Sequence, residues 1–211
     1  LKRRSDGEEN WISVSDLMAG LMMVFLFLAV IYAKDANQRA QNVTEIVTEW
    51  QDTELEIYEA LLNEFEDDVP LWNAEIERES LTIRFLSPEV LFAEGSSTLE
   101  SRCQEILNDF MPRYISLLHG RFGSVIREVR IEGHTSSGYY DVENKSIAFI
   151  ENMKLSQERT RSVLKYSMDI HSLRKWNAWM RKTISANGLS SARLMLNKGG
   201  DENRERSRRV E

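Results

Sequence analysis

From Trp11 to Tyr32 the chain reads WISVSDLMAGLMMVFLFLAVIY, with Asp16 as its only charged residue. A helix of that length spans about 30 Å, the thickness of a bilayer's hydrocarbon core. The run is apolar all round rather than striped, which disfavours the core helix of a soluble domain. Trp11 and Tyr32 stand at its two ends, where amphipathic rings prefer the membrane interface. A cleaved signal peptide would carry a shorter apolar region, about 7–15 residues, ending at a small-residue site. Ala33 and Ala36 could mimic such a site, but an aspartate inside the run would be out of place. The segment 11–32 therefore reads as a single transmembrane helix.

Asp16 is the expensive residue. An aspartate well inside a span costs about 2.5–3.5 kcal/mol on insertion scales. Ser13, Asp16, Gly20, Met23 and Phe27 share one helical face, small and polar at one end and bulky at the other. Small residues admit a second helix at close range, so Asp16 is expected to face protein rather than lipid. It reads either as an acid that merely marks the helix end near the headgroups or as one that takes and releases a proton. Lys2, Arg3 and Arg4 precede the span, and beyond Lys34 and Arg39 no basic residue follows until Arg78. That bias favours a cytoplasmic segment 1–10 and a globular part outside the inner membrane.

The remainder is charge-rich and acidic on balance, with a net charge of -7. Direct nucleic-acid binding is not expected from it. Cys103 is the only cysteine, so an intrachain disulfide is excluded, and its helical setting predicts a buried thiol. No Cys–His cluster suggests a zinc site. No Ser–His–Asp order and no convincing carboxylate pair stand out, so the chain does not read as an enzyme, and no cofactor or metal is expected.

Segment 33–70 reads as a linker helix. Val43, Ile46, Val47, Trp50, Ile57, Leu61 and Phe65 recur near a three-four spacing opposite an acidic face. The stripe suits pairing with a second copy or a neighbour as well as folding onto its own domain. Asp67-Asp68-Val69-Pro70 ends it, since proline cannot continue the ladder.

Segment 71–211 changes period. Ala74, Ile76, Leu81, Ile83 and Phe85 alternate as a β-hairpin around a turn at Glu77–Ser80. A helix follows, with a capping box of Ser97 and Glu100 and an apolar face of Leu99, Cys103, Ile106, Leu107, Phe110, Tyr114 and Leu117. Val125–Gly133 reads as a strand. Ser146–Ser167 reads as a helix with Phe149, Met153, Val163, Leu164 and Tyr166 as apolar candidates, and Ser172–Asn187 as another. Ala192–Leu196 reads as a short strand before Gly199-Gly200 and a basic tail, Arg204–Arg209. The expected fold class is α+β: a transmembrane helix, a linker helix, then an α/β sandwich with helices on one side of a small sheet. The final residues, to Glu211, fall in an expected last strand.

Three pieces then sit together: Leu91-Phe92 with Gly95; Glu132-Gly133-His134-Thr135; and Asn152 with Leu155-Ser156 and Glu158-Arg159. Their order and spacing, from about Leu81 to the C-terminus, resemble the OmpA-like peptidoglycan-binding domain. Behind one span with an acid a few residues inside it, the layout resembles MotB-type stator subunits. The run Ser13-Val14-Ser15-Asp16-Leu17-Met18-Ala19-Gly20-Leu21-Met22 looks most like the MotB-like component of Zorya anti-phage defence systems.

The resemblance implies a proton-driven inner-membrane motor anchored to peptidoglycan, with Asp16 carrying the proton. It implies two copies of this chain inside a ring of a multi-span MotA/ZorA-like subunit. It also implies a wall-binding site of Thr135, Asn152, Leu155 and Arg159, in which Arg159 grips a peptide-stem carboxylate. A guanidinium fork suits that task by donating two parallel hydrogen bonds. Where the family places an aspartate after Gly-x-Thr, to bind the ammonium of diaminopimelate, this chain has Ser136. Asp141 or Glu143, in the loop that follows, are the candidates for restoring that charge. His134 reads as a packed histidine, and Arg208 and Arg209 as capping the sheet edge or reaching the same pocket. The competing readings are a flagellar-type stator subunit and a passive cell-wall anchor with no ion transport.

Overall fold

The structure, a computed structural model, describes residues 6–86, 91–93, 95–140 and 142–211, with backbone alone over 6–13. It divides into two compact units, Leu1–Thr53 and Glu54–Glu211.

One helix, α1, runs from Asp6 to Phe65 and so belongs to both. Between Gly20 and Phe65 no glycine or proline interrupts it, so nothing in the backbone breaks the hydrogen-bond ladder between the apolar run and the linker pattern. Leu17, Met18, Leu21, Met22, Phe25 and Tyr32 are all exposed. Among the described residues α1 is long and apolar enough to cross a membrane. Asp16 is exposed as well.

Of the linker stripe, only the part in the second unit folds onto its own domain. Val43, Ile46, Val47 and Trp50, in the first, are exposed, whereas Ile57, Ala60, Leu61 and Phe65, in the second, are core residues.

In the second unit Arg113 clasps the end of α1, with Glu64 and Asp68 each 2.7 Å away and its guanidinium 4.8 Å over Phe65. The expected hairpin forms: β1 (Ala74–Glu77) pairs antiparallel with β2 (Thr82–Phe85) in the register Ala74 opposite Phe85. Helix α2 (Ser101–Phe122) follows. It buries Cys103, Ile106, Leu107, Phe110, Ile115, Leu118 and Phe122 against Phe65, Trp72 and Phe85. Burial pushes the Cys103 thiol up to about 12, which keeps it protonated and inert.

The expected capping box does not form. Glu100 occupies the N-cap without a side-chain bond. Leu99 is still extended, bridged to Phe92, and the Glu100 N–H donates to Leu91 O, so the helix starts late.

Strand β3 (Val129–His134) is shorter than expected at its start. The Val125 and Ile126 N–H groups are spent on Phe122 O at the end of α2. Helix α3 (Lys145–Asp169) connects it to β4 (Ile184–Gly188), which pairs parallel with β3. The helix expected over Ser172–Asn187 is in fact a 3-10 turn, His171–Trp176, then α4 (Asn177–Thr183), then β4. The extended segment begins at the β-branched Ile184, directly after Thr183 ends the helix. The strand expected over Ala192–Leu196 is reduced to one bridge, Leu196 to Glu202. After a short helix α5 (Arg204–Ser207), strand β5 (Arg209–Val210) enters the middle of the sheet, whose order is β1-β2-β5-β3-β4.

The sheet's two faces differ in kind. Phe85, Ile131, Gly133 and Val210 share the side that α2 and α3 cover. By alternation, Arg84, Glu132, His134, Arg209 and Glu211 share the other.

Helix α3 does not bury the apolar face expected of it. Of Phe149, Met153, Val163, Leu164 and Tyr166, only Val163 is buried. The inward stripe is Ala148, Asn152, Ser156, Arg159, Thr160, Val163 and Ser167. Its small members let the helix come close to the sheet. A Cβ on Gly188 would lie 2.3 Å from Gln157 N, and one on Gly133 would lie 2.8 Å from Thr160 Cγ2.

Candidate functional site

The close approach of α3 sets side chains at the carboxyl ends of β3 and β4. Thr135, just past β3, donates its N–H to Ser190 O at 2.9 Å. It is buried, and its Oγ1 has no hydrogen-bond partner among the described residues. Asn152, one of the inward residues of α3, donates from Nδ2 to Ser136 O (3.2 Å) and Gly138 O (3.0 Å). It thereby fixes the loop that leaves Thr135. Ser137 turns its N–H to Glu202 Oε1 at 2.9 Å and its hydroxyl to Glu202 Oε2. The helix starts on Asn144, whose side chain accepts from the N–H groups of Ser146 and Ile147.

Two turns along α3 from Asn152, Arg159 is buried. Its Nε donates to Ser96 O at 2.9 Å, and its guanidinium lies 5.0 Å over the Phe92 ring. Among the described residues no carboxylate lies within ion-pair distance of it. Burial, and next the nearby Arg208 charge, hold its pKa below the usual guanidinium range, with Tyr140 opposing them. The Tyr140 hydroxyl lies 1.9 Å from where a Cβ on Gly95 would stand. Gly95 has φ +64°, a conformation that costs glycine little, so the backbone favours glycine here.

The structure thus brings Thr135, Asn152 and Arg159 to one region, with Leu155 half-buried on the same helix. Asp141 lies outside the described residues, and Glu143 is exposed. Of the two basic residues near the C-terminus, Arg208 acts on Arg159. Arg209 instead points to the far face, bonding Glu211 Oε1 at 2.6 Å. Tyr140 and Glu202 went unnoticed in the sequence. The Gly199-Gly200 turn announced a loop before Glu202 but nothing about where its carboxylate would land.

The far face holds a second cluster. His134 is fully buried, its Nε2 3.4 Å from Glu211 Oε2 and 3.8 Å from Glu132 Oε2. Ligand atoms of these three residues lie within 4.8 Å of one another, which a cation could exploit. Their carboxylates, however, are already matched by guanidinium groups. Arg84 and Arg209 each lie 2.6 Å from Glu211, and Arg193 lies 3.0 Å from Glu132. Although burial raises it, His134 close by and hydrogen bonds from Arg84 and Arg209 leave the Glu211 carboxyl well below the usual carboxylate range. The cluster ties β2, β3 and β5 together.

No family model matches the chain. Over 210 residues it is 43% identical to the Zorya protein ZorB of Escherichia coli, covering 100% of this chain and 89% of that protein. The chain belongs to the ZorB family. Among solved structures, a MotB-like protein from Desulfovibrio vulgaris superposes with a TM-score of 0.51 at 24% identity, covering 75% of this chain and 88% of that one. That likeness shows the fold. The cell-wall anchor of the type VI secretion system from Pseudomonas aeruginosa aligns at 21% identity over 71% of this chain and 92% of that one, with a TM-score of 0.45, too loosely to add to the argument.

Proposed function

We propose that this ZorB-family chain is the wall-anchored, ion-carrying stator subunit of an inner-membrane motor in anti-phage defence. Residues 1–10 are cytoplasmic, 11–32 cross the membrane, 33–70 form a periplasmic linker, and 71–211 bind peptidoglycan. Two copies stand inside a ring of a multi-span MotA/ZorA-like subunit, and the exposed stripe of Val43, Ile46, Val47 and Trp50 joins them.

The observation that carries the anchoring role is Arg159, a buried guanidinium that meets no carboxylate among the described residues. A buried charge without a counter-charge is costly, and a ligand carboxylate offsets that cost through a bidentate pair. Asn152 holds the adjoining loop in shape, Thr135 offers a hydroxyl with no partner among the described residues, and Leu155 and Asp141 are assigned to the ligand with them.

Asp16 carries the proton. Each charge crossing the membrane releases about 2.3 kcal/mol per 100 mV. Neutralising Asp16 changes which contact with the ring is favoured, and release toward the cytoplasm resets it. Anchoring to the wall stops the subunit from turning with its own torque.

Asp16→Asn keeps the shape and hydrogen bonding of the side chain but cannot cycle a proton. The expected result in cells is loss of phage protection with the complex still assembled. Full protection with intact assembly would overturn the motor reading and leave a passive anchor. For the anchor itself, Arg159→Ala is expected to abolish pull-down on purified sacculi while thermal stability is kept.

A further inference from the structure

We infer that Glu202 supplies the negative half of the ligand site, so that the site takes a stem-peptide residue bearing both a carboxylate and an ammonium. The inference rests on the anchoring reading above.

Glu202 reaches the loop beside Ser136 from a distant part of the chain. Both of its oxygens are engaged there, Oε1 by the Ser137 N–H and Oε2 by the Ser137 hydroxyl. Ser136 and Gly138, on either side of Ser137, are held through their carbonyls by Asn152. The carboxylate is therefore fixed to a loop that is itself fixed to α3, the helix that carries Arg159.

The charges around Glu202 differ from those around the chain's other enclosed acids. Glu132 and Glu211 each meet a guanidinium at 3.0 Å or less. Glu202, with its side chain 15% exposed, has Arg204 at 4.0 Å, and that arginine's side chain is 74% exposed. Neutral donors from Ser137 orient the carboxylate without cancelling its charge. A carboxylate oxygen has two acceptor positions, so one on each oxygen remains for an incoming N–H.

Across the same loop stands the opposite imbalance. Arg159 is buried, feels Arg208 as a like charge, and meets no carboxylate among the described residues. At the start of that loop Thr135 keeps a buried hydroxyl with no partner among the described residues. A cation on the helix that holds this loop, an anion bonded to the loop and an unused hydroxyl at its start fit a zwitterionic ligand end. Glu143, the other described candidate for the negative charge, is exposed, and among the described residues no side-chain hydrogen bond orients it.

The test is pull-down of the full chain on purified sacculi, comparing wild type with Glu202→Gln, Arg159→Ala and the double variant Glu202→Gln/Ser136→Asp. Glutamine can still accept from Ser137, so the thermal midpoint is expected to hold while binding falls about tenfold. Placing the acid directly at position 136 is expected to restore binding. Acetylating the amino groups of the sacculi should bring wild type down to the level of Glu202→Gln and leave that variant unchanged. If Glu202→Gln binds as wild type while Arg159→Ala does not, the assignment of Glu202 is wrong and the anchoring reading stands. If wild type does not bind sacculi at all, the anchoring reading fails and takes this inference with it.

Discussion

Helices α2 and α3 lie on the same side of the same sheet, yet they meet it with opposite chemistry. α2 presents Cys103, Ile106, Leu107, Phe110, Ile115 and Leu118, and α3 presents Ala148, Asn152, Ser156, Arg159, Thr160 and Ser167. The first supplies buried area, the main favourable term in folding. The second supplies proximity: short side chains let α3 settle against Gly133 and Gly188. Its longer polar members then come to lie at the strand ends. One helix holds the domain together, and the other carries its chemistry.

That division can be broken by mutation. The largest effect is expected at Phe110, whose ring lies 4.9–5.8 Å from those of Phe65, Trp72, Phe85 and Tyr114. Phe110→Ala should cost about 3–5 kcal/mol in chemical denaturation and affect sacculus binding only through the folded fraction. Next comes Gly188→Ala, where the added Cβ meets backbone that cannot swing aside. Overpacking of this kind costs about 1–3 kcal/mol. Gly120 on α2 has nothing within 4 Å, so Gly120→Ala should instead stabilise by roughly 0.5–1 kcal/mol. If both alanines behave alike, close approach does not distinguish the two helices.

Asn152→Ala is expected to be milder in stability, about 1–2 kcal/mol for two bonds to loop carbonyls. Its effect on sacculus binding should be larger than that loss alone would produce. The smallest effect at neutral pH belongs to the far face. Because the Glu211 carboxyl is held below its ordinary 4.5, its contribution is present above that value and is lost as pH falls through the lower, folded value. The melting temperature should be flat from pH 7 to about 5 and decline below. Glu211→Gln should flatten that decline, and an unchanged acid limb in this variant would remove Glu211 as its source.

The same contrast explains what was legible in the sequence. Apolar periodicity announced the span, the hairpin of Ala74–Phe85 and the buried face of α2, because in each the burial is done by hydrocarbon. It misread the inward face of α3, because Ser156, Thr160 and Ser167 carry no hydrophobic signal and their role depends on glycines in strands far along the chain. It merged α4 and β4 into one helix, since a short amphipathic turn running into a strand has no punctuating glycine or proline before Gly188. At the candidate site the motif residues Thr135, Asn152 and Arg159 were legible through family spacing. Glu202 was not, because its position depends on a bond to Ser137 that no local pattern encodes.

The strand order has a consequence for how this chain must be made. β5 is the last strand in the chain and sits in the middle of the sheet, pairing Phe85 with Val210 on one side and Gly133 with Val210 on the other. Before Arg209 and Val210 have been synthesised, β1–β2 and β3–β4 are two separate pairs with no ladder between them. Contacts so distant in sequence form late. A chain cut short before Arg209 would keep α1 and leave those two strand pairs unjoined, so the domain closes only when its most distant segment arrives.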